Sequence, residues 1–154
     1  MPKITPFLWF DKNAEEAAEF YISVFPNSRR TSELRTTEAG PGPKGSLLTI
    51  EFELDGESFV ALNGGPGPES QFNNAVSFYI SCKDQEEIDH YWSKLLEGGG
   101  SPIACGWLKD RFGLRWQVVP KNIAELVGNP GGIRAMMKMT KLDIAALEAA
   151  AKEG

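Results

Sequence analysis

Few side chains in this sequence offer reactive chemistry, and their spacing narrows it further. There is a single histidine, His90, and there are two cysteines, Cys82 and Cys105. Two thiols cannot form a disulfide framework or a Cys-rich zinc site. His90 falls in the middle of a charge-rich helical pattern, four residues after Glu86, and reads as a solvated helix residue rather than a ligand or general base. Glu51 and Glu53 share one face of an alternating segment. Paired carboxylates can do acid–base work, but at this spacing they read as the wet face of an antiparallel strand. If that face lines a cavity instead, Glu51 is the acid–base candidate. Lys109-Asp110-Arg111 reads as a solvated hairpin turn with an exposed ion pair. The alternative is a lip in which Arg111 recognises an anionic group. Cys105, beside Gly106-Trp107, has no sequence neighbour that would lower its pKa and reads as a small buried residue.

The elements that must position these groups follow from hydrophobic periodicity. Ile4 to Phe10 is aromatic and apolar on both faces and reads as a buried strand. Asp11 or Asn13 can then cap a helix over Ala14 to Val24, whose Ala17, Phe20, Tyr21 and Val24 fall at helical spacing. Residues 29–37 suit a strand, and residues 38–46 are a loop by composition. Leu47 to Leu54 alternates, Asp55-Gly56 signals a hairpin, and Ser58 to Asn63 returns. After a Gly/Pro-rich linker the order recurs. Ala75 to Ser81 is a strand and Asp84 to Leu96 a helix capped by Gly98-Gly99-Gly100. Pro102 to Leu108 and Leu114 to Val119 are strands. The tail predicts helices over Ile133 to Lys141 and Leu142 to Lys152, the second capped by Asp143. Its Met136, Met137, Met139, Leu142, Ile144 and Leu147 must pack on the domain or on a second subunit.

The repeat is visible in the residues. A slide of 71 positions places Glu15-Glu16 on Glu86-Glu87 and Phe20-Tyr21 on Tyr91-Trp92, and a slide of 57 places Phe59 on Trp116. The expected fold class is α+β, with two βαβββ modules in one domain plus C-terminal helices. Its 154 residues are expected to be a single domain: module one 4–63, linker 64–74, module two 75–120 and a helical tail 121–154. A module with one helix and so few strands cannot bury its own sheet. Sixteen Lys plus Arg against twenty-one Asp plus Glu give a net charge of −5, which argues against nucleic-acid partners. No apolar run approaches the roughly 20 residues of a membrane helix. Met1-Pro2-Lys3-Ile4 shows no signal-peptide apolar region, so no membrane association and a cytoplasmic location are expected.

Three stretches carry a family resemblance. Ile4 to Asp11 with Ala14-Glu15-Glu16-Ala17 and Phe20-Tyr21, then Ala61 to Pro66, then Cys105 to Gly113, resemble the PhnB-like branch of the vicinal oxygen chelate superfamily. This branch carries the label 3-demethylubiquinone-9 3-methyltransferase domain, and the superfamily also holds glyoxalase I, extradiol dioxygenases and bleomycin-resistance proteins. The resemblance implies paired βαβββ modules forming a curved mixed sheet around a cavity, usually in a homodimer. In the metal-dependent members four strand side chains converge on one divalent ion. Laid onto this chain by strand parity, those positions are Thr5, Ala75, Gln117 and Val60, or Ala61 if the register slips by one. Thr is a weak ligand and Ala and Val are none, so no metal and no other cofactor is expected. Methyl transfer is not expected either. Gly64-Gly65-Pro66-Gly67-Pro68 precedes no helix, and Gly98-Gly99-Gly100 follows one.

What remains is an aromatic pocket. Phe7, Trp9, Tyr79 and Trp107 supply rings, and Asn63, Ser77 and Gln117 supply polar points. Trp116 by parity faces the helix. Such a lining suits planar or hydrophobic molecules, with a few polar groups fixing orientation. The expected function is metal-independent binding of a small hydrophobic or aromatic molecule by a homodimer. The alternatives are a lyase or isomerase acting on a small metabolite, with a metal held in some other arrangement, and a dimeric structural protein with a collapsed core.

Overall fold

Alternation along the first strand decides which side of the first sheet is covered. In the computed structural model, which describes residues 2–153, β1 (Phe7–Phe10) buries Leu8 and Phe10, while Phe7 and Trp9 are 59% and 39% exposed. The strand is therefore buried on one face only, not on both as its composition suggests. α1 (Ala14–Val24) has the expected bounds and buries Ala14, Ala17, Ala18, Tyr21 and Val24. Neither expected cap holds its start. Asn13 makes no side-chain cap bond, and the Ala14 N–H donates instead to Oδ1 of Asn63 at 2.8 Å, from across the unit. β2 (Arg29–Arg35), β3 (Leu47–Leu54) and β4 (Glu57–Asn63) complete a sheet of order β1-β4-β3-β2. β1 runs parallel to β4 and the other pairs are antiparallel. Asp55 and Gly56 both take positive φ, 49° and 83°, as the expected hairpin turn requires. Ile50, Phe52 and Leu54 pack under α1, with Phe59 stacked on Phe52 at 5.7 Å between centroids.

The chain divides into two compact units, one ending at Gln71 and the other beginning at Phe72, inside the expected linker. The second unit repeats the topology of the first. β5 (Ser77–Cys82), α2 (Gln85–Leu96), β6 (Ser101–Pro102), β7 (Trp107–Lys109) and β8 (Arg115–Pro120) form a sheet of order β5-β8-β7-β6. β5 begins at Ser77, so Ala75 lies outside the strand expected from Ala75. Asp84 caps α2 by accepting from the Glu87 N–H at 2.9 Å, and Glu87 accepts from the Lys83 N–H at 3.0 Å, a reciprocal pair close to a capping box.

The segment Pro102 to Leu108, expected as one strand, folds as two. Cys105 and Gly106 take φ of 55° and 86°, the Trp107 N–H donates to the Ala104 carbonyl at 2.9 Å, and the chain reverses. Two positive φ in succession are the mark of a tight hairpin turn. The tail holds the turn in place, because the Cys105 and Gly106 N–H groups donate to the Met139 and Thr140 carbonyls at 2.8 Å each. Cys105 is partly exposed rather than buried.

The tail contains three helices, not two: α3 (Ile123–Val127), α4 (Pro130–Met137) and α5 (Ile144–Lys152). α4 begins three residues before the expected Ile133. Asn129 caps it by accepting from the Gly132 N–H at 2.7 Å, and Pro130 suits the first turn. A Cβ on Gly132 would collide with the Leu126 carbonyl, so α4 follows α3 closely only because that position is glycine. Asp143 caps α5 as expected, from the Ala146 N–H at 3.0 Å. Val119, Leu126, Leu142 and Leu147 form one cluster with Met136 and Met139 against it, so most of the tail's apolar surface is covered within its own unit. Met137 stays 65% exposed. Among the described residues no helix is long and apolar enough to cross a membrane.

Candidate functional site

Strand register sorts the candidate residues onto faces. In the first unit Phe7 pairs with Val60 and Trp9 with Leu62, while Glu51 and Thr49 oppose those two partners on β3. These residues share the sheet face turned away from α1. Trp9 donates Nε1–H to the Gly65 carbonyl at 2.8 Å, and its ring lies against Gly64. The chain therefore occupies that indole donor.

Asn63 stands apart from Phe7 and Trp9. It pairs with Phe10 on the α1 side, its Oδ1 accepts from Ala14, and its Nδ2 donates to the Leu47 carbonyl at 3.1 Å. Both ends of the amide serve the fold, so Asn63 does not share the face expected of it. It lines a different cleft, about 460 Å³, with Asp11, Lys12, Arg35, Gly64 and Gly65. A second cleft of about 260 Å³ lies at Arg29, Thr31, Glu51, Glu53 and Ser58. There Ser32 donates to Glu51 Oε2 at 2.8 Å, and Arg29 reaches Glu53 at 3.3 Å.

The second unit brings four candidates together. Tyr79 pairs with Gln117 and Gln117 with Trp107, so the three form one row across β5, β8 and β7, on the face away from α2. Ser77 is in the adjacent row with Arg115 and Lys109. Gln117 Nε2 donates to Ser77 Oγ at 2.9 Å, which fixes the amide and leaves its Oε1 as an acceptor. Arg115 is held by Asn74 Oδ1 at 2.7 Å and the Gly113 carbonyl at 2.6 Å. Burial raises the Tyr79 phenol above its ordinary pKa, with a smaller contribution from Cys82, so it stays a neutral donor. Burial first, then the charge on Glu87, pushes the Cys82 thiol up to about 12 and makes it unreactive.

Trp116 faces α2 as parity requires, 5.6 Å from Phe78 between ring centroids. Beneath it lies a feature that sequence reading missed. Asp110 is only 1% exposed. Its Oδ2 accepts from Trp116 Nε1–H at 2.8 Å, and its Oδ1 accepts from the Phe112 and Leu114 N–H groups at 2.9 and 3.0 Å. The turn is pinned by a buried carboxylate, whereas the sequence suggested a solvated one. The signal available was Asp followed within six residues by Gly and Trp, a turn next to an indole donor.

The positions that would hold a divalent ion do not fit one. Thr5 donates its hydroxyl to the Pro2 carbonyl at 3.4 Å, Val60 is buried hydrocarbon, Ala75 has no donor, and Gln117 Oε1 alone cannot hold an ion. Among the described residues no three His, Cys, Asp or Glu side chains converge. His90 is exposed on α2, edge-on to Tyr91 at 5.0 Å between centroids.

Residues 2–119 match the family model described as 3-demethylubiquinone-9 3-methyltransferase. A PhnB protein from Bacillus cereus, carrying the same 3-demethylubiquinone-9 3-methyltransferase name, is 35% identical with a TM-score of 0.68, over 77% of this chain and 99% of that one. A protein from Pseudomonas aeruginosa is 20% identical with a TM-score of 0.60, over 79% and 98%. A glyoxylase/bleomycin resistance protein/dioxygenase domain from a Frankia species is 11% identical with a TM-score of 0.48, over 76% and 95%. No curated protein matches the chain.

Proposed function

The chain belongs to the 3-demethylubiquinone-9 3-methyltransferase family, and on that premise we propose that it binds a small, largely apolar or aromatic molecule without a metal. One observation carries this reading: the row Tyr79–Gln117–Trp107, two partly exposed rings on either side of an amide that Ser77 holds in place. A sheet face of rings with one oriented polar group suits recognition of an aromatic molecule. Phe7 and Trp9 present a second aromatic face in the first unit. Of the residues at the superfamily's metal positions, Val60 and Ala75 have no donor atom and Thr5 is a weak ligand, which favours binding over Lewis-acid chemistry.

Methyl transfer, which the family's name describes, has less support in these residues. The cluster from Gly64 to Gly67 leads into a three-residue 3-10 helix at Pro68–Ser70, contrary to the expectation of no helix there, and Gly98 to Gly100 follow α2, so neither glycine cluster opens an α-helix. A second reading rests on Glu51. Its carboxylate, hydrogen-bonded by Ser32, stands on the same face as Phe7 and could serve as a base in a lyase or isomerase. In either reading the protein works as a cytoplasmic homodimer. Val76 and Met137 of the second unit, both exposed, are apolar surface that favours an assembly.

Tryptophan emission titrated against a library of hydrophobic metabolites and drugs tests the reading. Saturable quenching by an aromatic compound supports it. Calorimetric binding of S-adenosylmethionine, with no compound quenching, would replace it with the family's named chemistry.

A further inference from the structure

We infer that the open face of the second unit takes a planar ring bearing an N–H donor and an anionic substituent. The ring seats between Tyr79 and Trp107, its N–H on the Gln117 carbonyl and its anionic group toward Lys109. This rests on the reading above that the face binds an aromatic molecule, and names which kind.

Spacing argues for the ring. Tyr79 and Trp107 flank Gln117 on neighbouring strands. Strands lie about 4.8 Å apart, so the two side chains rise about 9.6 Å from each other at the backbone. A flat ring standing over Gln117 would then be about 4.8 Å from each, inside the roughly 4.5–7 Å at which aromatic pairs attract. An aliphatic chain would fill the gap without that gain.

The amide argues for the donor. Ser77 accepts from Gln117 Nε2, and in this arrangement Oε1 is the atom offered to a ligand. An acceptor between two rings selects a ring edge that donates.

Charge argues for the anion. The whole chain is acidic at −5. Yet β5, β6, β7 and β8 contain no Asp or Glu, and Lys109 pairs with Arg115 in the row next to Gln117. The sheet of the first unit is mixed, with Glu33, Glu51, Glu53 and Glu57 against Arg29, Arg30 and Arg35 on its strands. With Arg115 held by Asn74 and Gly113, Lys109 is the cation of that row left to reach a ligand.

Four probes separate the parts: benzimidazole carboxylate, its N-methyl analogue, plain benzimidazole, and naphthalene carboxylate, each measured by calorimetry on the full chain. Wild type is expected to bind benzimidazole carboxylate about tenfold more tightly than the N-methyl and naphthalene compounds, which lack the donor. Gln117→Leu should erase that preference, and Lys109→Met should erase the preference for benzimidazole carboxylate over benzimidazole. Lys109→Met lies on the surface and keeps the test alive if Gln117→Leu fails to fold. If naphthalene carboxylate binds as well as benzimidazole carboxylate, or the preferences survive both variants, the inference is overturned while aromatic binding stands. If none of the four binds and no aromatic compound quenches tryptophan emission, both fall.

Discussion

Replacing Asp110 with Asn should destabilise the second unit by about 2–3 kcal/mol, although the two side chains have nearly the same shape. Asn can keep Oδ1 as the acceptor for the Phe112 and Leu114 N–H groups at 2.9 and 3.0 Å. It must then put an NH2 where Oδ2 accepts from the Trp116 indole at 2.8 Å. A buried donor would face a buried donor. One hydrogen bond to a charged group is lost, typically about 1.5–3 kcal/mol, and two donors go unsatisfied in a site only 1% exposed. Partial relaxation offsets some of that, which keeps the expected loss below the sum. Urea unfolding followed by tryptophan emission measures it. A double-mutant cycle with Trp116→Phe isolates the pair: the loss from Asp110→Asn should shrink in the Phe background, with a coupling of about 1–2 kcal/mol. Equal unfolding midpoints for wild type and Asp110→Asn, or strictly additive variants, would refute the reasoning. The consequence reaches the site, because Trp116 and Gln117 are successive residues of β8 on opposite faces.

Other outcomes follow from the same geometry. Gly64→Ala should displace the Trp9 ring, since a Cβ there would overlap it, and should shift Trp9 emission and cost about 1–3 kcal/mol in urea unfolding. A thiol reagent at mildly alkaline pH should label Cys105 alone in the native protein, because Cys82 is buried with its pKa near 12, and mass spectrometry of the labelled peptides reads this directly. Lys141 holds the Asp89 carboxyl below its ordinary pKa through a 2.7 Å ion pair, with Gln85 adding a hydrogen bond. That stabilisation is complete above the unfolded value of about 3.9 and is lost as pH falls through the lowered folded value. Lys141→Met should therefore reduce stability slightly at neutral pH and not at all at pH values below both, as thermal melts across the acid range will show. Gln85→Leu should loosen α5 by removing the 2.8 Å bond from the Ile144 N–H, seen as faster hydrogen exchange at that amide.

Periodicity made the sheet faces legible. The even residues of β1 and the residues Phe78, Ile80 and Trp116 pack on helices, and that parity alone put Phe7, Trp9, Ser77, Tyr79 and Gln117 on the opposite sides. Helical spacing of apolar residues in α1, and the Asp84 start and glycine stop of α2, predicted both helices to within a residue. Three features escaped. The turn at Cys105-Gly106 depends on a non-glycine residue with positive φ, which composition does not announce, and its partners are carbonyls more than thirty residues away. Asn63 sits at the end of a strand, where parity says which face it takes only once the parallel register with β1 is known. The burial of Asp110 depends on an indole donor six residues later, and a charged turn in sequence looks the same whether its carboxylate is wet or bonded.

The binding account depends on sheet faces that hold a ligand by rings and one amide, with no ion between. Tryptophan emission should be titrated with a quenching aromatic compound twice, on protein stripped with a strong chelator and on the same protein resupplied with manganese, zinc or iron. Superimposable binding curves are the expected result. Binding that vanishes on stripping and returns in proportion to the added cation would contradict the account and place a metal at the centre of this protein's chemistry.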